Sequence, residues 1–181
     1  VTHGRIVWMV DGYSVTPNYP IARPTRLDVG YVRYMRPSIK ATVDAVTGET
    51  TLYALGNGDP WLATYKAAFP TLFESIDEMP PELRAHLRYP SFYFATQAEI
   101  LEKYHLDRPE AFFAGEDLWS LPRERGSEPT QLFQSVYSML SMGSNTTPEF
   151  VLTAPFTPIR RQNLSAFMIV QNDAPNYGRI T

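Results

Sequence analysis

The sequence contains no cysteine and only three histidines, His3, His86 and His105. Without cysteine there are no disulfides, no thiolate metal sites and no cysteine nucleophile. A histidine metal centre would need two or three of these imidazoles to converge with carboxylates. No Lys/Arg run of nucleic-acid or polybasic type occurs and the formal net charge is −3, so no nucleic-acid partner is expected. Long apolar runs are missing as well. Phe150 to Phe156 and Ala166 to Val170 fall far short of the roughly 20 residues that cross a hydrocarbon core. No signal peptide opens the chain and no initiator methionine is present, which suggests a fragment of a longer protein. No Gly-x-Ser-x-Gly, Ser-x-x-Lys, P-loop or Gly-x-Gly-x-x-Gly motif occurs. Nucleophilic catalysis and phosphate cradling therefore lack their usual signatures, and no cofactor is expected.

What is present suits a folded body. Apolar residues make up 44% of the 181 positions, with 11 Tyr, 10 Phe and 3 Trp. That is enough to bury a core and argues against disorder. The 16 prolines, against a usual share of about 5%, imply short elements and ordered connections.

Ile6 to Val10 is apolar on both faces and predicts a buried strand. Asp11 to Pro24 is rich in Pro, Gly and Asn and predicts a loop, with a short strand at Tyr31 to Arg36. Ala41 to Val46 and Thr50 to Leu55 flank Thr47-Gly48-Glu49. Two β-prone runs joined through a Gly that can take positive φ predict a hairpin. Its inward face would be Ala41, Val43, Ala45, Leu52 and Ala54; Thr42, Asp44 and Thr51 would face the other way.

Asp59-Pro60 is a good N-cap and first position for a helix. Leu62, Tyr65 and Phe69 would share its buried face, and Pro70 ends it. A second short helix is expected from Pro80-Pro81 with Leu83 and Leu87 inward. A third runs from Ser91 to His105 with Phe94, Ala98, Leu101 and His105 on one face. Asp107 and Glu110 have capping-box spacing for a last helix, Pro109 to Phe113. Gln131 to Leu140, Glu149 to Ala154, Leu164 to Val170 and Tyr177 to Ile180 return to strand character. Gly126 to Pro129 and Gly143 to Pro148 are loops. The expected class is α+β: an antiparallel or mixed sheet from the N- and C-terminal strands, with the helical middle segment on one face. We read one domain over 1–181, with strands in 5–56, helices in 59–115 and strands in 131–181.

Several unusual strings occur together. They include Ser38-Ile39-Lys40-Ala41-Thr42-Val43-Asp44-Ala45 and Glu78-Met79-Pro80-Pro81-Glu82-Leu83-Arg84-Ala85-His86-Leu87-Arg88-Tyr89-Pro90. Further on stand Glu116-Asp117-Leu118-Trp119, Glu149-Phe150-Val151-Leu152 and Asn176-Tyr177-Gly178. In these the chain resembles uncharacterised protein family 0182, from about Ile6 to Gly178. Pro20 to Asp28 and Gly126 to Gln131 look shorter than the family's usual connections. The resemblance implies a bacterial parent with several membrane spans, located in the cell membrane, and places this portion outside the cytoplasm. Its implied partners are the transmembrane part of its own parent chain and an envelope component or partner protein. It implies no enzyme class.

Three constellations are candidates for chemistry. Arg84 and Arg88 would be i, i+4 neighbours on one helix face, with His86 beside them. They would hold an anion or phosphate-bearing ligand, or else form a structural ion-pair network in which Glu116 and Asp117 are the partners. Glu102 and His105 have the i, i+3 spacing of metal-binding helices, although His105 also completes an apolar face; no metal is expected. Asp117 beside Trp119, near Glu116, is a candidate half of a carboxylate pair for glycoside hydrolysis, or simply a cap followed by a core aromatic. The reading is a non-catalytic, ligand- or partner-binding extracytoplasmic domain. The alternative is a cell-envelope hydrolase using acidic residues and an Arg anion site.

Overall fold

The computed structural model describes residues 4–27, 30–56, 58–122, 134–141, 147–159, 161 and 163–181. The class is α+β. Where the sequence reading drew one body over 1–181, the chain falls into two compact units, Val1–His86 and Leu87–Thr181. The N- and C-terminal strands do not share a sheet among the described residues, and the helical segment is divided between the units.

In the first unit a four-stranded sheet has the order β1 (Val7–Thr16), β4 (Tyr34–Asp44), β5 (Thr50–Ala54), β6 (Phe73–Ser75). A separate pair joins β2 (Thr25–Leu27) to β3 (Gly30–Val32). The predicted hairpin is β4–β5, with Ala41 opposite Leu52 and Val43 opposite Thr50. Its turn is made by local chemistry. Asp44 Oδ1 accepts from the amides of Val46 and Thr47, both at 2.9 Å, and Gly48 takes φ +73°. β5 and β6 run parallel, so they need a crossover, and helix α1 (Pro60–Ala68) lies between them in sequence.

Four expectations are corrected in this unit. Asp11 to Thr16 is strand, not loop: Gly12 marks an irregularity in the β1–β4 register rather than a turn. Ser38 is the extra residue on β4, next to Pro37, which has no amide to donate to the ladder. Second, β1 is not buried on both faces, because Trp8 and Val10 are exposed; among the described residues it pairs with β4 alone, at the sheet edge. Third, the more deeply buried face of β4 is the polar one. Ser38, Lys40 and Thr42 are buried, whereas Ala41 and Val43 are only partly so. Lys40, 3% exposed, reaches Asp11 as an ion pair, which is how a buried ammonium is tolerated. Fourth, on α1 only Leu62 is buried; Tyr65 and Phe69 are exposed.

In the second unit β9 (Glu149–Pro158) is central. It pairs with β10 (Ala166–Gln171) on one side, and with β7 (Trp119–Ser120) and β8 (Val136–Leu140) on the other, all antiparallel. Alternation along β9 sends Leu152, Ala154 and Phe156 to one face. There they meet Met168 and Val170 from β10 and Phe94 and Ala98 from helix α3 (Ser91–Tyr104). Phe94, Leu152, Phe156 and Val170 are fully buried, each contributing about 1.5–3 kcal/mol by burial. Ala166 to Val170 is strand rather than helical turn. Tyr177 to Ile180 forms a turn and a single bridge to Val170 instead of a strand. Helix α4 (Pro109–Ala114) forms as expected, but its N-cap is Arg108 without a side-chain cap bond, so the Asp107/Glu110 box is not made. Gly115, at φ +69°, ends it. Part of the predicted strand at Gln131 and the loop at Gly126 lie outside the described residues.

Candidate functional site

The signature string from Glu78 to Pro90 does not form one helix. Helix α2 (Pro81–Arg84) has a single turn: Pro80 and Pro81 fix its start, and it ends at Arg84 with Ala85 as its C-cap. Arg88 therefore does not sit one turn above Arg84, and the predicted i, i+4 arginine pair is corrected on that ground. Arg84 instead donates through its Nη2 to Ile76 O at 2.7 Å and to Asp77 Oδ1 at 2.9 Å. The carboxylate that Arg84 meets within its own unit is Asp77. With Arg84 and Asp77 side chains 44% and 83% exposed, this is a surface pair of small energy. His86 Nδ1 lies 2.7 Å from Glu82 O, the carbonyl one turn back.

Arg88 has a different environment. Its guanidinium lies 4.8 Å from the centroid of Phe150, and Phe150 is stacked at 5.5 Å and 10° on Tyr137. A cation over an aromatic face is attracted by the ring quadrupole. The backbone here is held by distant side chains. Tyr89 N donates to Asn172 Oδ1 at 2.7 Å, Tyr137 OH to Tyr89 O at 2.6 Å and Tyr177 OH to Arg88 O at 3.1 Å. Burial pushes the Tyr89 phenol up to about 12, helped by Tyr93. Three of the strings that carried the resemblance, at Arg88-Tyr89-Pro90, Glu149-Phe150 and Asn176-Tyr177-Gly178, thus converge at the entrance to α3.

Glu116 and Asp117 are exposed, and Asp117 takes φ +59°. Trp119 packs against the core: its ring stacks on His105 at 3.7 Å and 6°, and lies tilted by 37° against Phe156 at 5.1 Å. His105 Nδ1 lies 2.9 Å from Leu101 O, and Nε2 lies 3.2 Å from Asp117 O. Glu102 Oε1 accepts from Leu121 N at 2.8 Å. The i, i+3 pair is therefore engaged with backbone groups, and no cluster of three metal-ligating side chains occurs among the described residues.

One cluster was not foreseen. Asp59, 4% exposed, accepts Ser14 Oγ and Ser38 Oγ on Oδ2, both at 2.6 Å. Its Oδ1 accepts Tyr34 OH at 2.7 Å and Trp61 N at 3.2 Å. Burial opposes the charge, but the four donors together hold the carboxyl below its usual range. Burial and the Asp59 carboxylate push the Tyr34 phenol up to about 12. The sequence signal for Asp59 was its cap position; nothing local announced the two serines. Every donor is matched to the carboxylate, so the cluster fastens α1 to β1 and β4.

The family described as Uncharacterised protein family (UPF0182) matches the chain over residues 1–181. The chain is similar to a UPF0182 protein of Solibacter usitatus, 41% identical over 97% of the chain and 20% of that protein. A UPF0182 protein of Alkaliphilus metalliredigens is 38% identical over 99% of the chain and 19% of its own length. One of Mycobacterium bovis is 37% identical over 100% and 20%. The chain thus spans about a fifth of the length of the curated relatives it matches. No solved structure matches it.

Proposed function

The chain belongs to the UPF0182 family as a portion of a much longer protein, and from that premise we propose that it is a non-catalytic, extracytoplasmic binding domain of a multi-pass membrane protein. Its partners are the transmembrane part of the parent chain and an envelope component or protein. One observation carries the non-catalytic part. The polar groups a reaction would recruit are engaged in structure: His105 and Glu102 with backbone groups, Arg84 with Asp77 and Ile76, Asp59 with four donors. The membrane context follows from the family resemblance. No helix of the described residues is long and apolar enough to cross a membrane, consistent with a portion standing outside the bilayer.

The test uses the whole parent protein in intact cells. Val46, in the β4–β5 turn, is 83% exposed; these 181 residues hold no cysteine, and any cysteine elsewhere in the parent is first changed to serine. Val46→Cys should react with a membrane-impermeant maleimide before the cells are permeabilised. Reaction only after permeabilisation would place the domain on the cytoplasmic side and sink the proposal. A thermal-shift screen of the purified protein with sugars, peptidoglycan fragments, lipid head groups and metals should then give a concentration-dependent rise with one class.

A further inference from the structure

The β1–β4–β5–β6 sheet buries a face rich in polar groups, where Ser38, Lys40, Thr42 and Asp11 lie beside Met9 and Tyr53, and leaves the β1 end of its other, apolar face open. Cross-strand partners point to the same side of a sheet. Trp8 is opposite Val43, Val10 opposite Ala41, Ala41 opposite Leu52, and Leu52 opposite Phe73. Ala45 N donates to Ile6 O at 2.9 Å, which adds Ile6 to the same row. This face is apolar from edge to centre, yet Ile6, Trp8 and Val10 are 57%, 64% and 52% exposed. On the opposite face Ser38, Lys40 and Thr42 are buried, at 1%, 3% and 6% exposed.

The sheet edge carries the same signal. Among the described residues, ten-residue β1 pairs with β4 alone. Its one charged side chain, Asp11, is neutralised by Lys40, and it contains no proline. Edges that face water are usually blunted by lysine, proline or shortness. The Ile6–Ala45 bond also fixes the alternation. Ile6, Trp8 and Val10 point their amides toward β4, and Val7 and Met9 point theirs toward the free edge.

We infer that this apolar face and edge are a docking surface for a segment of the same longer polypeptide, lying outside these 181 residues. The relatives are about five times the length of the chain, so such a segment is available in cis. Size favours it over a second copy. Three half-exposed side chains make a patch of at most a few hundred Å², below the roughly 800 Å² per partner of a stable interface. A tethered segment needs less area, because its effective concentration replaces the lost freedom of association. The inference does not depend on which side of the membrane the domain occupies.

The experiment uses the full-length protein in detergent with a permeant maleimide. Val10→Cys should react at least tenfold more slowly than Val46→Cys in the native protein and at the same rate in denaturant. A photo-crosslinking phenylalanine analogue at Trp8 should give an adduct mapping beyond residues 1–181. Equal native rates overturn the inference. So does failure to recover an adduct outside this chain, including adducts that map within it or to a second copy.

Discussion

Replacing Asp59 should loosen the first unit more than any exposed substitution in it. The carboxylate is 4% exposed and accepts four hydrogen bonds, three from hydroxyls and one from the first turn of α1. In Asp59→Ala the lost N-cap costs about 1 kcal/mol. Ser14 and Tyr34 lose a charged acceptor, at about 1–2 kcal/mol each. Ser38 keeps a second acceptor, Arg36 O at 3.1 Å, so its contribution is smaller. The expected loss is about 3–5 kcal/mol. Asp59→Asn retains Oδ1 for Tyr34 and Trp61 but presents an amide to the two serine hydroxyls, and should lose about half as much by the same reckoning. Urea unfolding with an unchanged m value is the assay. For a unit of this size the alanine loss corresponds to a fall in Tm on the order of 15 °C. A loss under about 1 kcal/mol for alanine, or equal losses for alanine and asparagine, would refute the reasoning. Acid provides a second arm. Because the folded carboxyl lies below its ordinary value of 3.8, its stabilisation is present above that pH and is lost as pH falls through the folded value. Asp59→Asn should lack that part of the acid sensitivity.

Leu152→Ala removes a fully buried side chain from the centre of β9 and should destabilise the second unit by about 3–4 kcal/mol, read as a shift of its urea midpoint. Arg84→Ala breaks a surface pair with Asp77 and should change stability by less than about 1 kcal/mol; a larger loss in the same titration would show that Arg84 does more than hold Ile76 and Asp77. Tyr34 and Tyr89, raised to about 12, should be among the last of the 11 tyrosines to ionise when phenolate absorbance is followed. Since their folded values lie above the ordinary 10.0, they stabilise fully below pH 10, and that contribution is lost as pH rises from about 10 to about 12.

Features legible in the sequence were those decided by neighbours along the chain. The hairpin followed from Asp44 and Gly48 closing a turn with their own backbone. The start of α1 followed from Asp59-Pro60, and the inward face of α3 from the spacing of Phe94, Ala98 and Leu101. Features that failed were decided by groups far apart in sequence. Gly12 reads as a turn signal until β4 lies beside it; a Cβ at that position would stand 3.2 Å from Ile39 Cβ. Thr42 reads as facing away from the core, yet on its side of β4 Ser38 and Lys40 are buried against Asp59 and Asp11. Arg84 and Arg88 read as helix neighbours until the helix is seen to stop after one turn. The convergence of Arg88, Phe150 and Tyr177 had no local signal, since it depends on β9 and the C-terminal turn reaching the start of α3.

The two units differ in how fully they close on themselves, and this bears on what each does in a longer protein. The second unit has an ordinary core: a helix laid on an antiparallel sheet, with the apolar alternation of β9 turned inward. The first satisfies its polar face at high density, through Asp59, Ser14, Ser38, Asp11 and Lys40, and leaves its apolar face half open. Burying Ser38, Lys40 and Thr42 gains little even when each is bonded, whereas covering Ile6, Trp8 and Val10 would gain about 25 cal/mol per Å² of apolar surface. The polar network fixes one orientation of the sheet through bonds that only that orientation satisfies, and so it holds Ile6, Trp8 and Val10 outward. Substitution of the network and substitution of the open face should therefore have opposite signatures. Changes at Asp59 lower the stability of the chain itself. Trp8→Ser should leave the isolated chain almost unchanged, within about 0.5 kcal/mol, and destabilise only the longer protein in which that face is covered.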